Sequence, residues 1–333
     1  MPQLTFLPWL RVDRPETFGA LTLLPKETGL GELAGHDRAF ADAMCAAYVE
    51  LHADRSGQHP SAPVTFLRHA DRVLAAELTD DEFIGVARQL RVLGALAQAP
   101  TQFQRAPSNC FVPIGQRYQE GSFGIAIMSG KLTSGGLDIR KAWFTRPTFI
   151  SSKAELDIAE AALRVAADEL VRIDEPTKRQ RMLVRALEWY FWANVDDDEQ
   201  NSYVPFVLLQ TAFDTLTDNR SSKMAFANAI ARRLATPDDL MVTKTIDGQP
   251  VVLNEQGWWA HTFYAFRSET VHGKELKPGA ALYNGRSHFD LGSVAFRILV
   301  RQELQKMELL ESPLGIVGTS LFVDMLREPP DDA

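Results

Sequence analysis

Hydrophobic and polar positions follow different patterns in the two halves of the chain. Short apolar stretches at residues 4–12 and 19–25 are punctuated by prolines and predict short strands. Alanine-rich segments at residues 36–55 and 80–99 have the spacing of helices. Between residues 100 and 147, alternating apolar and polar residues are cut by glycines, a pattern that indicates a small β-rich patch. The first half is therefore predicted to be mixed.

From about Ser151 the pattern becomes helical. Residues 152–173 predict a long amphipathic helix, and Pro176 precedes another. In that next helix one face carries four apolar side chains, namely Leu183, Leu187, Tyr190 and Phe191. The helical pattern is interrupted once, where β-branched residues around Asp247-Gly248 predict a hairpin.

These patterns predict an α+β fold, in which a mixed α/β region is followed by an all-α helical bundle. We expect a domain at residues 1–150, the bundle at residues 151–312 and a C-terminal tail at residues 313–333. Within the tail, residues 320–326 form a short apolar helix candidate.

The predicted helix around residues 256–272 has two distinct faces. Trp259, Phe263 and Phe266 share one stripe that should face the core, and the helix should stop at Gly273. A polar seam on another stripe is formed by His261, Ala265, Ser268 and His272. Arg267 borders this seam, about 140° from His272 on a regular helix. Three things could close that gap: the long arginine side chain, a loosened last turn, or a second copy of the helix.

Composition and charge narrow the class of protein. Hydrophobic residues make up 45% of the 333 residues, and the net charge of −8 argues against a general nucleic-acid coat, although a few local cations could still grip one segment. Cys45 and Cys110 give no disulfide framework or metal pattern and are predicted to be buried. The N-terminus lacks the features of a secretory signal and no apolar run reaches about 20 residues, so we expect a cytoplasmic protein without a membrane segment.

Arg267 and His272 offer a specific chemistry. Histidine exchanges a proton near neutral pH, and arginine is a permanent, planar cation that suits phosphate oxygens. Together they could cleave RNA without a metal, because a base can activate the ribose 2′-hydroxyl while the guanidinium stabilises the phosphorane. A purely structural interpretation is also open, because the helix dipole alone favours both residues in a last turn. His261 is interpreted as a structural histidine.

The segment "FYAFRSETVHG" (residues 263–273) resembles the HEPN superfamily, in particular its ApeA-like branch. "RSETVHG" fits the Arg-x4-His motif of that superfamily, and "LLQTAFDTL" is similar to its helix with an acidic residue, here Asp214. The resemblance covers about Lys178 to Leu310. It departs from the family at Ser268, where Asn or Asp is common, and at Lys274, where one variant has tyrosine.

The resemblance implies a HEPN-type bundle, a metal-independent endoribonuclease without cofactors, and a homodimer that brings two Arg–His motifs to one cleft. It also implies a toxin or anti-phage defence role, with RNA as substrate and an antitoxin or a phage-derived trigger as a further partner. Arg267 and His272 would be catalytic, and Ser268 and Asp214 supporting. The nearest basic residues that could guide RNA are Arg220, Lys223, Arg232 and Arg233.

Two other functions compete with this prediction. One is a non-catalytic HEPN module that binds RNA or a protein and keeps the Arg–His pair for structure. The other is a metal-dependent phosphohydrolase built on Asp196 to Asp198, although the spacing of these acids matches no calcium loop.

Overall fold

The computed structural model divides the chain into two compact units, which we describe separately. The first unit contains β1–β7 and α1–α3, and the second contains α4–α9 and β8–β11, as defined below. The residues that the structure describes are 2–56, 64–97, 108–118, 125–128, 131–134, 168–170, 175–195, 203–218, 222–274, 279–310 and 315–327.

The first unit is built around an antiparallel sheet. Its elements are β1 (Gln3–Leu7), β2 (Glu16–Phe18), β3 (Leu21–Pro25), α1 (Lys26–Glu32), α2 (Gly35–Ser56), β4 (Thr65–His69), α3 (Asp80–Ala97), a 3-10 turn (Ser108–Phe111), β5 (Ile114–Arg117), β6 (Ile125–Met128) and β7 (Lys131–Ser134). Five strands form the main sheet in the order β2-β3-β4-β1-β5, and β6 pairs with β7 in a separate hairpin. Strands β1 and β3 are buried along almost their whole length, including the polar residues Gln3, Thr5 and Thr22, so both faces of these strands are covered.

Several predictions for the first half are confirmed. Both alanine-rich segments are helices, α2 and α3, and Cys45 and Cys110 are buried free thiols. Strand β4, at residues 65–69, was not predicted from the sequence. It lies in the middle of the sheet, where it joins β1 to β3 through pairs such as Phe6 with Phe66.

The second unit is helical with two small hairpins. Its elements are α4 (Lys178–Ala193), α5 (Val204–Thr217), α6 (Lys223–Arg233), β8 (Met241–Ile246), β9 (Gln249–Asn254), α7 (Glu255–Val271), β10 (Leu282–Tyr283), β11 (Arg286–Ser287), α8 (His288–Lys306) and α9 (Gly315–Arg327). The α+β class and the helical second half are therefore as the sequence predicted.

Aromatic side chains fill the core of the second unit, with Phe213 of α5 at the centre. Its fully buried ring makes edge-on contacts with Phe226 of α6, Trp259 and Phe263 of α7, and Phe296 of α8. Edge-to-face packing suits the aromatic quadrupole and adds to the gain from burial. One residue thus holds four helices together.

Local sequence signals fix most element ends in this unit. Helix α4 begins with a capping box between Thr177 and Gln180, and Ser222 caps α6. The predicted hairpin is β8–β9, and its two turn residues, Asp247 and Gly248, both have positive φ angles.

The C-terminal segment corrects one prediction. Residues 313–333 were expected to form a tail, but α9 packs into the core of the second unit. Its Phe322 is fully buried and contacts Trp259 edge-on at 5.3 Å between ring centroids. The apolar helix candidate within this segment is therefore part of the bundle.

Among the described residues, no helix has both the length and the apolar content needed to cross a membrane.

Candidate active site

Helix α7 carries Arg267 and His272, and its first turn is held by a network of hydrogen bonds centred on Asp239. The Asp239 carboxylate accepts from the side-chain amides of Asn254 and Gln256, each at 2.7 Å. It also accepts from the backbone N–H and the hydroxyl of Thr236 at 3.1 and 2.7 Å. Burial raises the pKa of Asp239, but these hydrogen bonds outweigh it and hold the pKa below its ordinary value. The start of α7 is thereby fixed to the loop after α6.

The same network caps the helix. The side-chain oxygen of Asn254 accepts from the backbone N–H of Gly257 at 3.0 Å, as expected of an N-cap residue. The amide group of Asn254 also donates to the carbonyl of Ala231, in the last turn of α6. A side chain at Gly257 would clash with Ala231, because an added Cβ would lie 2.9 Å from the Cβ of Ala231. The close approach of the two helices therefore requires glycine.

The apolar stripe of α7 faces the core as predicted, with Trp259, Phe263 and Phe266 all buried. Phe266 stacks at 5.9 Å on His288, the first residue of α8, and contacts Phe206 edge-on. His288 is only 1% exposed, and burial lowers its pKa to about 4. It is therefore a neutral core residue near neutral pH.

The last turn of α7 ends in a Schellman motif. The N–H of Gly273 donates to the carbonyl of Thr270 at 3.2 Å, and the N–H of Lys274 donates to the carbonyl of Glu269 at 3.0 Å. Gly273 has a φ of 65°, a left-handed conformation that favours glycine. This confirms the predicted helix stop. His272 is the exposed C-cap residue directly before it.

Arg267 lies one turn earlier, half-buried, on the side of α7 that interacts with α5. Its Nε atom is buried and has no hydrogen-bond partner within the described structure. The positive charge of Arg267 acts on Asp214 of α5, so the predicted supporting acid lies within electrostatic reach of the predicted catalytic arginine. The structure thus brings these two residues together.

Asp214 is held in an unusual electrostatic setting. Burial raises its pKa from 3.8 to about 6, although the hydrogen bond from Gln210 at 2.9 Å and the charge of Arg267 both lower it. At neutral pH the carboxylate remains mostly ionised. Its negative charge can therefore stabilise the positive charge of Arg267.

The backbone of α7 narrows the ways in which Arg267 and His272 could be brought together. The N–H of His272 donates to the carbonyl of Ser268 at 3.1 Å, so the helical hydrogen-bond pattern continues to the end of the motif. A loosened last turn is therefore excluded as the way to bring Arg267 and His272 together. The reach of the arginine side chain and a second copy of the helix remain.

The predicted RNA-guiding residues have different environments. Arg220 lies outside the described residues. Lys223 is the first residue of α6, and Arg232 is exposed, with its Nε bonded to the carbonyl of Asn228.

Arg233 is partly buried in an ion pair within the bundle, so we do not include it in the proposed RNA-binding surface. It pairs at 3.1 Å with Glu303 of α8, whose side chain is 7% exposed. Glu303 also pairs with Arg179 of α4 and with Lys306 of α8, at 2.6 and 3.0 Å. The Glu303 carboxylate thus forms ion pairs with one cation from each of α4, α6 and α8.

One basic residue near α7 was missed from the sequence. Lys244 of β8 places its ammonium 4.8 Å from the ring centroid of Trp258 in α7. The tight Asp247-Gly248 turn fixes the hairpin register, and alternation along β8 puts Lys244 on the same face as Val242 and Ile246. Because these two residues pack against Trp258, the pattern could have indicated Lys244.

The acidic loop that carries Asp196 to Asp198 lies outside the described residues. Within the described part, no group of three or more His, Cys, Asp or Glu side chains is arranged to bind a metal.

Comparison of the chain with protein-family models, with curated proteins and with solved structures finds no match. The resemblance to HEPN proteins therefore rests on the Arg-x4-His motif, the helix order and Asp214.

Proposed function

We propose that the protein is a metal-independent endoribonuclease of HEPN type, with His272 as general base and Arg267 as the group that stabilises the transition state. The observation that carries this proposal is the exposure of His272 at a well-formed helix end, one turn after an arginine that interacts with Asp214. A histidine kept only for the core would be buried like His288. The accessible imidazole can reach a substrate.

In the proposed reaction, His272 removes the proton of a ribose 2′-hydroxyl, and the 2′-oxygen attacks the adjacent phosphorus atom. The bond between phosphorus and the 5′-oxygen then breaks, the leaving 5′-oxygen takes a proton from water, and His272 returns its proton to the solvent. Arg267 stabilises the additional negative charge on the phosphorane oxygens. The products are a 2′,3′-cyclic phosphate and a 5′-hydroxyl end, and DNA cannot react because it lacks the attacking hydroxyl.

The active form is proposed to be a homodimer. On a regular helix the two side chains project about 140° apart, so one copy of α7 does not aim both at one phosphate. A twofold axis near the end of α7 could place His272 of one protomer beside Arg267 of the other. Because the hydrogen-bond pattern is unbroken at His272, a second copy is one of the two ways left to bring the side chains together, and it is the one proposed here.

The decisive experiment is RNA cleavage in EDTA, with the ends of the products identified. The wild-type protein is expected to cut in chelator and to leave a cyclic phosphate, and His272→Ala is expected to be inactive but folded. Cleavage that stops in EDTA, or that yields 3′-hydroxyl ends, would point instead to a metal-dependent phosphohydrolase. A folded wild-type protein that binds RNA without cutting it would support the non-catalytic alternative.

Mixing inactive variants tests the composite site. If Arg267 and His272 act across a twofold axis, a mixture of Arg267→Ala and His272→Ala protomers regains about a quarter of the wild-type rate, because half the dimers carry one intact site of two. If both residues act within one protomer, the mixture stays inactive. The oligomeric state, measured by light scattering, accompanies this test.

The proposed biological role is that of a toxin or anti-phage defence protein, in which the first unit senses a trigger or restrains cleavage. This role predicts that expression of the wild-type protein arrests bacterial growth, with or without an added phage, and that His272→Ala abolishes the arrest. Equal growth with both proteins under either condition contradicts it.

A further inference from the structure

A set of basic side chains follows helix α7 away from His272. It consists of Lys223 at the start of α6, Lys244 on the β8–β9 hairpin and His261 on α7, and we call these three residues the cationic track. Lys223 was predicted as part of another cluster and His261 as a structural residue. The structure groups them differently.

One end of the cationic track is fixed by Trp258. The ammonium of Lys244 lies over the indole ring at 4.8 Å, and the imidazole of His261 meets the same ring edge-on at 5.6 Å between centroids. Trp258 is itself held by a hydrogen bond from its Nε1 to the carbonyl of Val242 at 2.9 Å. Lys244 and His261 therefore lie against the same indole, whose position is set by the hairpin.

The other end is fixed by the packing of α6 on α7. Asn254 contacts Ala231 at the end of α6, whereas Tyr264 contacts Phe226 near its start, so the two helices run antiparallel. Lys223 comes one turn before Phe226 and thus lies on the side of this contact that faces the C-terminal end of α7.

The cationic track is aligned with the proposed catalytic end. His261 and His272 share one stripe at the two ends of an 11-residue step, which spans about 16 Å along the helix axis. Lys223 lies between Lys244 and His272 along this direction. His261 therefore links the two lysines, whose charges act on it, to the stripe of α7 that ends at His272.

The charge of the track is not balanced by acids. Neither Lys223 nor Lys244 forms an ion pair with any described residue, and the Nε2 atom of His261 is buried without a hydrogen-bond partner among them. Burial and then the charges of Lys223 and Lys244 lower the pKa of His261. The two lysines have no acidic partner among the described residues, so they would gain free energy by binding an anion.

We propose that the cationic track binds the backbone phosphates of a single RNA strand and leads that strand along α7 to His272. This inference rests on the proposed ribonuclease function and adds the path of the substrate. A single strand carries one phosphate per nucleotide, and the span of about 16 Å from His261 to His272 is long enough for more than one of them. Because the protein has a net charge of −8, RNA binding requires a local group of cations, and the cationic track provides one.

The test measures binding separately from cleavage. A fluorescent single-stranded oligouridylate of about 12 nucleotides is titrated with full-length His272→Ala protein, which binds but does not cut, from ~50 to ~200 mM salt. Adding Lys223→Gln and Lys244→Gln is expected to weaken binding by about tenfold and to lower the slope of log affinity against log salt by up to about 1.4, because two phosphate contacts are lost.

Matched variants separate charge from folding. Lys26→Gln with Lys178→Gln removes the same charge at lysines that are not part of the track and is expected to leave affinity and slope unchanged, since neither lies on the proposed path of the strand and Lys178 already pairs with Asp218. Lys223→Arg with Lys244→Arg keeps the charge and should retain binding. An oligothymidylate of equal length should bind with a similar slope, because the track contacts phosphates and not the 2′-hydroxyl.

Each outcome decides between the two proposals. If the Lys223→Gln, Lys244→Gln protein is folded but keeps wild-type affinity and slope, the track is overturned even if the wild-type protein cleaves RNA. If the slope falls as expected but the wild-type protein never cleaves RNA, the track stands as a binding site and the ribonuclease function fails. Failure of the oligothymidylate to bind contradicts recognition through phosphates.

Discussion

The two ends of helix α7 are built in opposite ways. Its first turn is locked by Asp239, which receives hydrogen bonds from Asn254, Gln256 and Thr236. At its other end Val271 and His272 are exposed, and the helix is ended by the backbone bonds of the Schellman motif around Gly273. A side chain at the last turn can therefore meet a ligand while the helix beneath it stays in place. This contrast favours a functional interpretation of His272.

The largest expected effect is that of His272→Ala at the C-terminal end of α7, where RNA cleavage and stability should respond differently. Replacing His272 by Ala is predicted to reduce RNA cleavage by about 10²- to 10⁴-fold, the range typical of a lost general base. Because His272 is exposed, the midpoint of urea unfolding should not change. The two measurements on one variant check this. If His272→Ala still cleaves RNA, or if it unfolds at a lower urea concentration, the functional interpretation of His272 is contradicted.

A second prediction concerns His288, the buried counterpart of His272. Its pKa is lowered from 6.5 to about 4, so the folded state disfavours the proton that the unfolded chain binds. The stability that follows is present above pH 6.5 and is lost as the pH falls towards 4, by at most about 3 kcal/mol. His288→Phe should flatten the free energy of unfolding over this range.

Asp214 acts in the opposite direction over nearly the same range. Its pKa is raised from 3.8 to about 6, so the folded state gains stability as the pH falls from 6 towards 4. The two groups partly offset each other in the wild-type protein. Asp214→Asn should therefore make the acid loss of stability steeper, and His288→Phe should make it shallower. Parallel pH profiles for the two variants would contradict both assignments.

A further prediction tests the hydrogen-bond network of Asp239 at the first turn of α7. Asp239→Ala removes one acceptor and leaves the amide groups of Asn254 and Gln256 without it, at a cost of about 2 kcal/mol in the free energy of unfolding. Asp238→Ala, one residue earlier and exposed, is the matched control and should cost little. If Asp239→Ala unfolds at the same urea concentration as Asp238→Ala, the network does not fix α7.

The smallest expected effect concerns the stop of the helix. Gly273→Ala puts a side chain at a φ of 65° where the space around it is open, so the cost is conformational and amounts to about 1 kcal/mol. Gly31→Ala, in helix α1 and also in open space, should be neutral or slightly stabilising. Equal unfolding midpoints for the two variants would mean that Gly273 is not needed for the stop.

Features that depend on local spacing could be predicted from the sequence. The buried stripe of α7, the hairpin at Asp247-Gly248 and the stop at Gly273 all follow from residue types a few positions apart. By the same local rule, Asn284-Gly285 indicates a second tight turn, and both residues have positive φ between β10 and β11. This turn was not predicted.

Features that depend on distant partners could not be predicted. The sheet order places β4 between β1 and β3, and no short-range pattern encodes that pairing. The ring contact between Phe322 and Trp259 joins residues far apart in sequence, so the sequence indicates an apolar helix there but not its packing on the bundle. Asp239 likewise gains its role only when the start of α7 folds back onto the loop after α6. At the candidate site, the sequence indicates which residue types are present. It does not indicate that Arg233 pairs with Glu303 or that Lys244 lies over Trp258.

Glu303 has a mechanical consequence for the bundle. Because its single carboxylate holds Arg179, Arg233 and Lys306, helix α6 cannot slide along its own axis without separating Arg233 from that anchor. Lys223 sits at the opposite end of α6 from this anchor. The ion pair at one end of α6 thus helps to keep the backbone of Lys223, at the other end, at a fixed height along the bundle.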